Sequence, residues 1–138
     1  MTDIDVTVIG GGAAGLMAAV SAARCDARTR VIEHMDRIGK KILSTGNGKC
    51  NYTNAVQGLS CYRGENPAFV LPVFEQFGQE DTVRLFEELG IYPKIKNGYY
   101  YPASEQAVSV VEVFGMECDY LGVDLWIFIC RRRHLNRF

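Results

Sequence analysis

Long apolar runs, an excess of charge of either sign, and paired cysteines are all missing from this sequence. No stretch approaches the ~18 continuous apolar residues that a membrane-spanning helix needs, so Leu16 to Ala23 reads as a packed helix. Fifteen basic side chains stand against 16 acidic ones, a formal net charge of −1. A chain so balanced has no global field to attract nucleic acid or anionic lipid, and neither is expected as a partner. The five cysteines, Cys25, Cys50, Cys61, Cys118 and Cys130, are odd in number and contain no C-x-x-C pair. That argues against a disulfide framework and against a common zinc motif, and it makes a reducing cytoplasm the expected location. The first residues, MTDIDVTVIGGGAAGLMAAV, place acids before a short apolar strand, without the basic flank or cleavage site of a signal peptide. No Ser-His-Asp arrangement, metal-ligand constellation, internal repeat or low-complexity segment is visible. What remains is 138 residues, 48% hydrophobic and 22% charged, the range of one ordinary globular α/β domain.

The first third of the chain is the most regular. Asp5 to Ile9 is a β-branched run ending in three glycines, which suits a buried parallel strand followed by a tight turn. Ala13 to Arg24 is rich in helix formers with small side chains, and Arg30 to Glu33 reads as a second strand. Strand, helix and strand in about thirty residues make a βαβ unit. A polar connector runs from Met35 to Asn66, with a short turn of helix expected at Lys40 to Leu43; so long an irregular segment is more often functional than idle. Pro67 to Phe77 and Asp81 to Leu89 read as helices, with Asp81 as N-cap or first-turn acid and Gly90 as a left-handed C-cap. Asn97-Gly98 between apolar and aromatic segments predicts a two-stranded hairpin. Ser104 is placed to cap a helix through Leu121 whose inner side carries Val108, Val111, Cys118 and Leu121. Gly122 ends that helix, and Val123 to Ile127 begins another strand.

The run Gly10-Gly11-Gly12-Ala13-Ala14-Gly15 fits G-x-G-x-x-G. Gly10 makes the tight turn, Gly12 lets the backbone approach a pyrophosphate, and Gly15 permits close helix–strand packing. The amides of Ala13 and Ala14 then open a helix whose unsatisfied donors and dipole favour an anion. A bare glycine pattern is weak, because glycine clusters also occur in ordinary turns. Here it follows a strand, opens a helix, and is followed after about twenty residues by Glu33, whose carboxylate can accept from a ribose diol and disfavours a 2′-phosphate. These features mark a nucleotide site. They do not separate FAD from NAD, since both contain the ADP group that the unit reads.

The connector separates them by resemblance. Gly39-Lys40-Lys41-Ile42-Leu43-Ser44-Thr45-Gly46-Asn47-Gly48-Lys49-Cys50-Asn51-Tyr52-Thr53-Asn54 closely resembles the hallmark of the BaiN-like flavoproteins, also known as aminoacetone oxidase-like NAD(P)/FAD-dependent oxidoreductases. Asn97 to Pro102, Ser104 to Ala107 and Tyr120 to Val123 look like later blocks of the same family in the right order, so the likeness runs from about Ile4 to Leu125. It implies a Rossmann-like FAD-binding domain of the glutathione-reductase type, incomplete here and carrying a β-hairpin excursion. It implies FAD as cofactor and NAD(P)H as a candidate reductant. It further implies a connector that follows the cofactor from phosphates to flavin. Lys40, Lys41 or Lys49 can balance phosphate charge, and Gly46 and Gly48 can allow backbone contact. Ser44, Thr45, Asn47 and Asn51 offer hydrogen bonds to ribityl hydroxyls or flavin edges. The resulting cofactor set is Gly10, Gly12, Ala13, Ala14, Gly15, Glu33, Lys41, Thr45, Gly46, Gly48 and Asn51, with no catalytic residue assigned. Read without the resemblance, the same glycines and asparagines make turns and the lysines are solvated. Cys50 reads as a buried, unreactive thiol, and Tyr99 to Tyr101 as a flavin-lining cluster or cross-strand packing. His34 reads as an exposed neighbour of the ribose acid.

Two departures from the family pattern stand out. Asp26 occupies the position after the first helix where a glycine is usual, and Thr29 stands where the second strand is usually more apolar; Asp tolerates the left-handed conformation that the first requires. After Leu125 the pattern breaks: residues 126–138 pack five apolar residues, three arginines (Arg131 to Arg133) and a ragged polar end. They read as an edge strand with a solvated tail, or as a divergent segment after a frameshift or truncation, which sets the expected organisation at 1–125 and 126–138. Family members are longer and carry a substrate domain. Three readings follow: the cofactor-binding part of a flavin oxidoreductase acting on a small molecule, a non-catalytic fragment of one that binds FAD weakly or not at all, and a small NAD-binding module. Oligomeric state and substrate are open.

Overall fold

The structure is a computed structural model that describes residues 3–128. The described residues divide into two compact units, 3–41 with 114–128 and 42–113.

The first unit is built on a parallel sheet of three strands, β1 (Val6–Ile9), β2 (Thr29–Glu33) and β6 (Asp124–Ile127), in the order β1-β2-β6. The register sets Val8 beside Val31 and Val31 beside Leu125. Helix α1 (Ala13–Arg24) joins β1 to β2 and buries Leu16, Ala19 and Val20. Thr29, the polar residue opening β2, is buried and donates its hydroxyl to the carbonyl of Ala27 at 2.9 Å, so it enters the core without an orphaned donor. β6 runs through Ile127, two strand residues beyond Leu125, and pairs Trp126 with Ile32 and Ile127 with Glu33. The basic run Arg131 to Arg133 and Cys130 lie outside the described residues.

The second unit contains α2 (Leu71–Gln76), α3 (Gln79–Glu88) and an antiparallel sheet of β3 (Thr53–Asn54), β5 (Tyr99–Pro102) and β4 (Pro93–Lys96) in the order β3-β5-β4. The hairpin at Asn97-Gly98 is present, with φ of 52° and 80° at the two turn residues, the left-handed pair that a type I′ turn requires. The excursion has three strands rather than two, because Thr53 and Asn54 of the connector pair with Tyr100 and Tyr99. The connector's helical turn begins at Ile42, not Lys40, as 3-10 turns over Ile42–Gly48 interrupted at Thr45 to Asn47. Pro67 to Phe77 is not one helix. Pro67–Val70 is a 3-10 turn and α2 follows it, since Pro72 has no N–H to continue an α-helical ladder from the preceding turn. In α3, Asp81 is a first-turn acid, accepting from the Gly78 N–H at 2.9 Å.

Helix α4 (Ala107–Tyr120) runs from the second unit into the first. It starts three residues after Ser104, whose hydroxyl accepts from the Gln106 N–H at 3.3 Å in the turn before the helix instead of capping it. Its buried stripe is Ala107, Val110, Phe114 and Cys118; Val108, expected on the inner side, is 41% exposed.

Helices α1, α3 and α4 all end in the same way. The residue three past the end of each helix donates to the carbonyl of the helix's third-from-last residue: Ala27 to Ala22 (3.2 Å), Ile91 to Phe86 (2.7 Å) and Val123 to Cys118 (2.8 Å). The intervening residue is left-handed in each case, Asp26 at φ 61°, Gly90 at 86° and Gly122 at 69°. Asp26 thus fills a glycine position, as its place in the sequence implied.

Candidate nucleotide-binding site

The glycine loop lies at the carboxyl end of β1. Gly10 continues the ladder by donating to the Ile32 carbonyl at 2.8 Å and then turns the chain at φ 98°, a conformation that glycine adopts without strain. Gly15 is packed to the limit: a Cβ there would sit 1.8 Å from the Gly10 carbonyl oxygen and 3.3 Å from Val8 Cγ1. Gly12 is the opposite case. It is the N-cap of α1, in extended conformation, and a Cβ on it would meet nothing within 4 Å. No side chain caps this end and no acid lies in its first turn, so helix geometry leaves the N–H groups of Ala13, Ala14 and Gly15 without intrahelical acceptors. Ala13 and Ala14 are exposed. Open space beside Gly12, in front of uncommitted amides at a helix N-terminus, fits an anionic diphosphate.

Glu33 sits beside the loop at the end of β2 and is buried. Its Oε2 accepts from the Gly11 N–H at 2.6 Å, its Oε1 accepts from the Met35 N–H at 2.7 Å, and His34 Nδ1 lies 3.1 Å from Oε1. Burial, the largest single effect, opposes ionisation of this carboxyl, but the Met35 and Gly11 amides together with His34 hold it below the usual glutamate range. Oε2, which receives the Gly11 N–H, keeps a further lone pair for a ribose hydroxyl.

Gly11, an unspecified position in the fingerprint, is also constrained, through contacts with residues distant in sequence. Besides donating to Glu33, it accepts from the Gly39 N–H at 2.7 Å, and a Cβ there would lie 2.9 Å from Ile38 Cγ2. Ile38 Cδ1 in turn lies 3.9 Å from the position that a Cβ would take on Gly115 of α4. The root of the connector is thereby bolted to the glycine loop. Sequence reasoning passed over Gly11 and Ile38; the only available signal was a third consecutive glycine where the pattern needs two.

The eleven expected residues divide between the units. Gly10, Gly12, Ala13, Ala14, Gly15, Glu33 and Lys41 belong to the first, and Thr45, Gly46, Gly48 and Asn51 to the second. The structure brings together the loop residues and Glu33. Among the others, Lys41 is exposed, and Thr45 spends its hydroxyl on the Ile42 carbonyl at 2.6 Å. Asn51 Nδ2 donates to the carbonyls of Thr53 (2.8 Å) and Tyr100 (3.0 Å), stitching the connector to the hairpin. Gly46 at φ 53° has no room for a side chain, its Cβ position being 2.8 Å from the Asn51 nitrogen, whereas Gly48 at φ 80° faces open space. Lys40 is paired with Asp36 at 2.8 Å and Lys49 with Glu105 at 3.1 Å, so both cations already have carboxylate partners.

Cys50 is buried, and burial pushes its thiol up. Tyr100 packs edge-on against Tyr52 at 6.4 Å, cross-strand packing rather than an exposed platform, while Tyr99 is about half exposed. Among the described residues no group of His, Cys, Asp and Glu is arranged to hold a metal ion.

A cleft of about 630 Å³ lies at the other end of the first unit, lined by Asp26, Arg28, Tyr120 and Asp124 among others. It is a poor anion site. It lies at the amino ends of the strands, where the carbonyl ends of α1 and α4 and three aspartates, Asp3, Asp26 and Asp124, repel negative charge. Ligands of open α/β sheets bind at the carboxyl ends, where the glycine loop is.

A βαβ unit with a glycine turn at the carboxyl end of its first strand, a bare helix N-terminus and an acid at the end of its second strand defines a Rossmann-type nucleotide-binding domain. Residues 4–129 match the HI0933-like protein Rossmann domain, and the chain belongs to that family. It is 49% identical over 114 residues to the 3-dehydro-bile acid delta(4,6)-reductase of Clostridium scindens, covering 81% of this chain and 28% of that protein. It is 34% identical over 119 residues to the ribosomal RNA dihydrouridine synthase of Haemophilus influenzae, covering 86% of this chain and 29% of that protein. The chain therefore spans under a third of the length of these relatives. Among solved structures, the 3-ketosteroid-delta4-(5alpha)-dehydrogenase of Rhodococcus jostii superposes with a TM-score of 0.61 at 15% identity, over 92% of this chain and 39% of that one. No helix among the described residues is long and apolar enough to cross a membrane.

Proposed function

We propose that this chain binds the ADP half of FAD and forms the cofactor-binding part of a flavin-dependent oxidoreductase. The observation that carries the reading is the glycine loop: Gly12 faces open space beside the uncommitted amides of Ala13 and Ala14, and Glu33 is fixed next to them by the Gly11 N–H. Gly10, Gly12, Ala13, Ala14 and Gly15 receive the diphosphate, and Glu33 accepts from the ribose. Lys41, Thr45, Gly46, Gly48 and Asn51 belong to the stretch that contacts the remainder of the cofactor. FAD is preferred over NAD because of the Gly39 to Asn54 segment and its likeness to flavoproteins. When bound, the flavin supplies hydride chemistry, and the protein's share is binding, orientation and electrostatics.

A reductase among the relatives calls for an electron donor, and NAD(P)H is the one proposed. The substrate of the whole protein is proposed to be a small molecule rather than RNA. The bile-acid reductase is more similar to this chain than the dihydrouridine synthase is, and the balanced charge offers no field for a polyanion. Four free cysteines among the described residues support a reducing, cytoplasmic setting.

Fluorescence titration with FAD, FMN and NAD tests the cofactor. ADP is expected to displace FAD, and FMN, which lacks the ADP group, to bind at least ten-fold more weakly. Equal binding of FMN and FAD, or a preference for NAD, contradicts the proposal.

A further inference from the structure

Among the described residues, five that are not glycine hold a left-handed backbone: Asp26, Asn47, Cys50, Asn97 and Glu105. Aspartate and asparagine visit that region readily, whereas cysteine and glutamate do so at a cost. The two costly cases meet at one side chain of the second unit, Lys49. Cys50 is its chain neighbour, and Glu105, in the turn between β5 and α4, accepts from Lys49 Nζ on Oε1 at 3.1 Å. The other oxygen of Glu105 accepts from Lys94 Nζ of β4, so one carboxylate links the connector, the hairpin and the turn before α4. Lys94 and Lys49 hold this carboxyl down to about 2, and it is ionised at any neutral pH. Stability does not account for the arrangement. The side chains of Glu105, Lys49 and Lys94 are 31%, 43% and 51% exposed, and ion pairs so open to water contribute little. A glycine would take the φ of 52° at position 105 without strain, and strained residues that a fold retains cluster at functional sites.

What the carboxylate does fix is the course of the connector. The loop is closed by its own backbone, Lys49 N–H donating to the Gly46 carbonyl at 3.1 Å and Cys50 N–H to that of Thr45 at 3.2 Å. Its far end is anchored by the buried Cys50 and by Asn51, whose Nδ2 reaches the Tyr100 carbonyl. At Gly48 the loop faces open space, and the next residue, Lys49, carries the tie to Glu105. We propose that Glu105 is a positioning residue for the flavin half of the cofactor, acting through Lys49 on the loop 45–51 rather than by contact with the cofactor. The proposal rests on the reading that the connector contacts the part of FAD beyond ADP. A loop held in its bound shape before the ligand arrives loses less freedom on binding, which is where the carboxylate contributes affinity. Lys49, its charge answered by Glu105, is then a strut and not a counter-ion for phosphate.

The test is calorimetric titration of the full 138-residue chain with FAD and, separately, with ADP. Glu105→Gly removes the carboxylate and the backbone strain together; it is expected to weaken FAD by about ten-fold or more and to leave ADP within about two-fold of the parent. Glu105→Gln, which keeps the size and one acceptor but not the charge, should fall between the two. Lys49→Met should match Glu105→Gly, and the double variant should bind FAD no more weakly than either single one, because both changes break the same link. FAD binding unchanged in both Glu105 variants would overturn the proposal, as would FAD and ADP weakened alike. A loss in Lys49→Met that Glu105→Gly does not share, the signature of direct phosphate contact, would overturn it too. A parent that binds ADP as tightly as FAD overturns this proposal alone, whereas a parent that binds neither nucleotide overturns the underlying cofactor reading with it.

Discussion

Replacing Glu33 by glutamine tests how the glycine loop is held. The carboxylate is 8% exposed and receives two backbone N–H groups, one on each oxygen, from Gly11 and Met35. Glutamine has the same shape but a single acceptor oxygen, so its NH₂ must face one of the two amides, donor against donor. Losing one hydrogen bond to a charged acceptor and stranding its buried partner costs about 2–3 kcal/mol. The protein's single tryptophan, Trp126, is paired with Ile32 next to Glu33 and reports unfolding of this unit. With a urea slope of roughly 1–3 kcal/mol per molar, the midpoint should fall by about 0.7–3 M. The pH dependence gives an independent check. The folded carboxyl titrates below the ordinary value of 4.5, so its stabilisation is complete above that value and is lost as pH falls through the folded pKa. The parent should therefore lose its advantage over Glu33→Gln below about pH 4.5 and keep it at neutrality. An unchanged midpoint at pH 7 would refute the clamp.

The other predictions separate packing from binding. Gly15→Ala drives a methyl group into the Gly10 carbonyl and should destabilise by about 3 kcal/mol or more, read as a loss of near-ultraviolet circular dichroism. Gly12→Ala meets no neighbour and should change stability by less than about 0.5 kcal/mol, yet weaken ADP binding measured by calorimetry. Asp26→Gly should stabilise by about 0.5–1 kcal/mol in thermal unfolding, because it removes a left-handed non-glycine residue and an acid at a helix C-terminus. Glu105, hydrogen-bonded by Lys94 and Lys49, has its carboxyl lowered to about 2; carbon-detected NMR should find it titrating there, and back in the ordinary range when both lysines are replaced by methionine. In thiol labelling mapped by mass spectrometry, exposed Cys25 and Cys61 should react quickly, while Cys50 and Cys118, the latter pushed up to about 11 by burial, should wait for unfolding.

What the sequence made legible was local. Asn97-Gly98 has a backbone requirement that few residues meet, so its turn could be read directly, and the glycine fingerprint with Glu33 identified the correct strand ends. Asp26 could be placed in a left-handed cap because the helix before it and the strand after it were both clear. The misreadings involved partners distant in sequence. Thr53 and Asn54 form a strand only because Tyr99 and Tyr100 lie beside them, and two residues carry no period of their own. Val108 and Val110 are equally apolar, and only the packing around α4 decides that Val110 is buried. Pro67 to Phe77 looked helical by composition, but Pro72 and the exposure of Phe69 and Val73 leave little to hold it as one helix. In the site, the contacts of Gly11 with Glu33, Ile38 and Gly39 are tertiary and carry no pattern, and the same holds for the Asn51 Nδ2 bonds that hold β3 and β5 together.

The central claim is that the helix N-terminus behind Gly12 receives the diphosphate of an ADP group. Amide chemical-shift mapping of the isotope-labelled chain during titration with ADP tests it most directly. Saturable shifts at Gly11 to Leu16 and at Glu33 to Met35 are the result this account predicts. Shifts confined to the opposite end of the sheet, around Asp26, Arg28 and Asp124, or no saturable shifts at all, would contradict it.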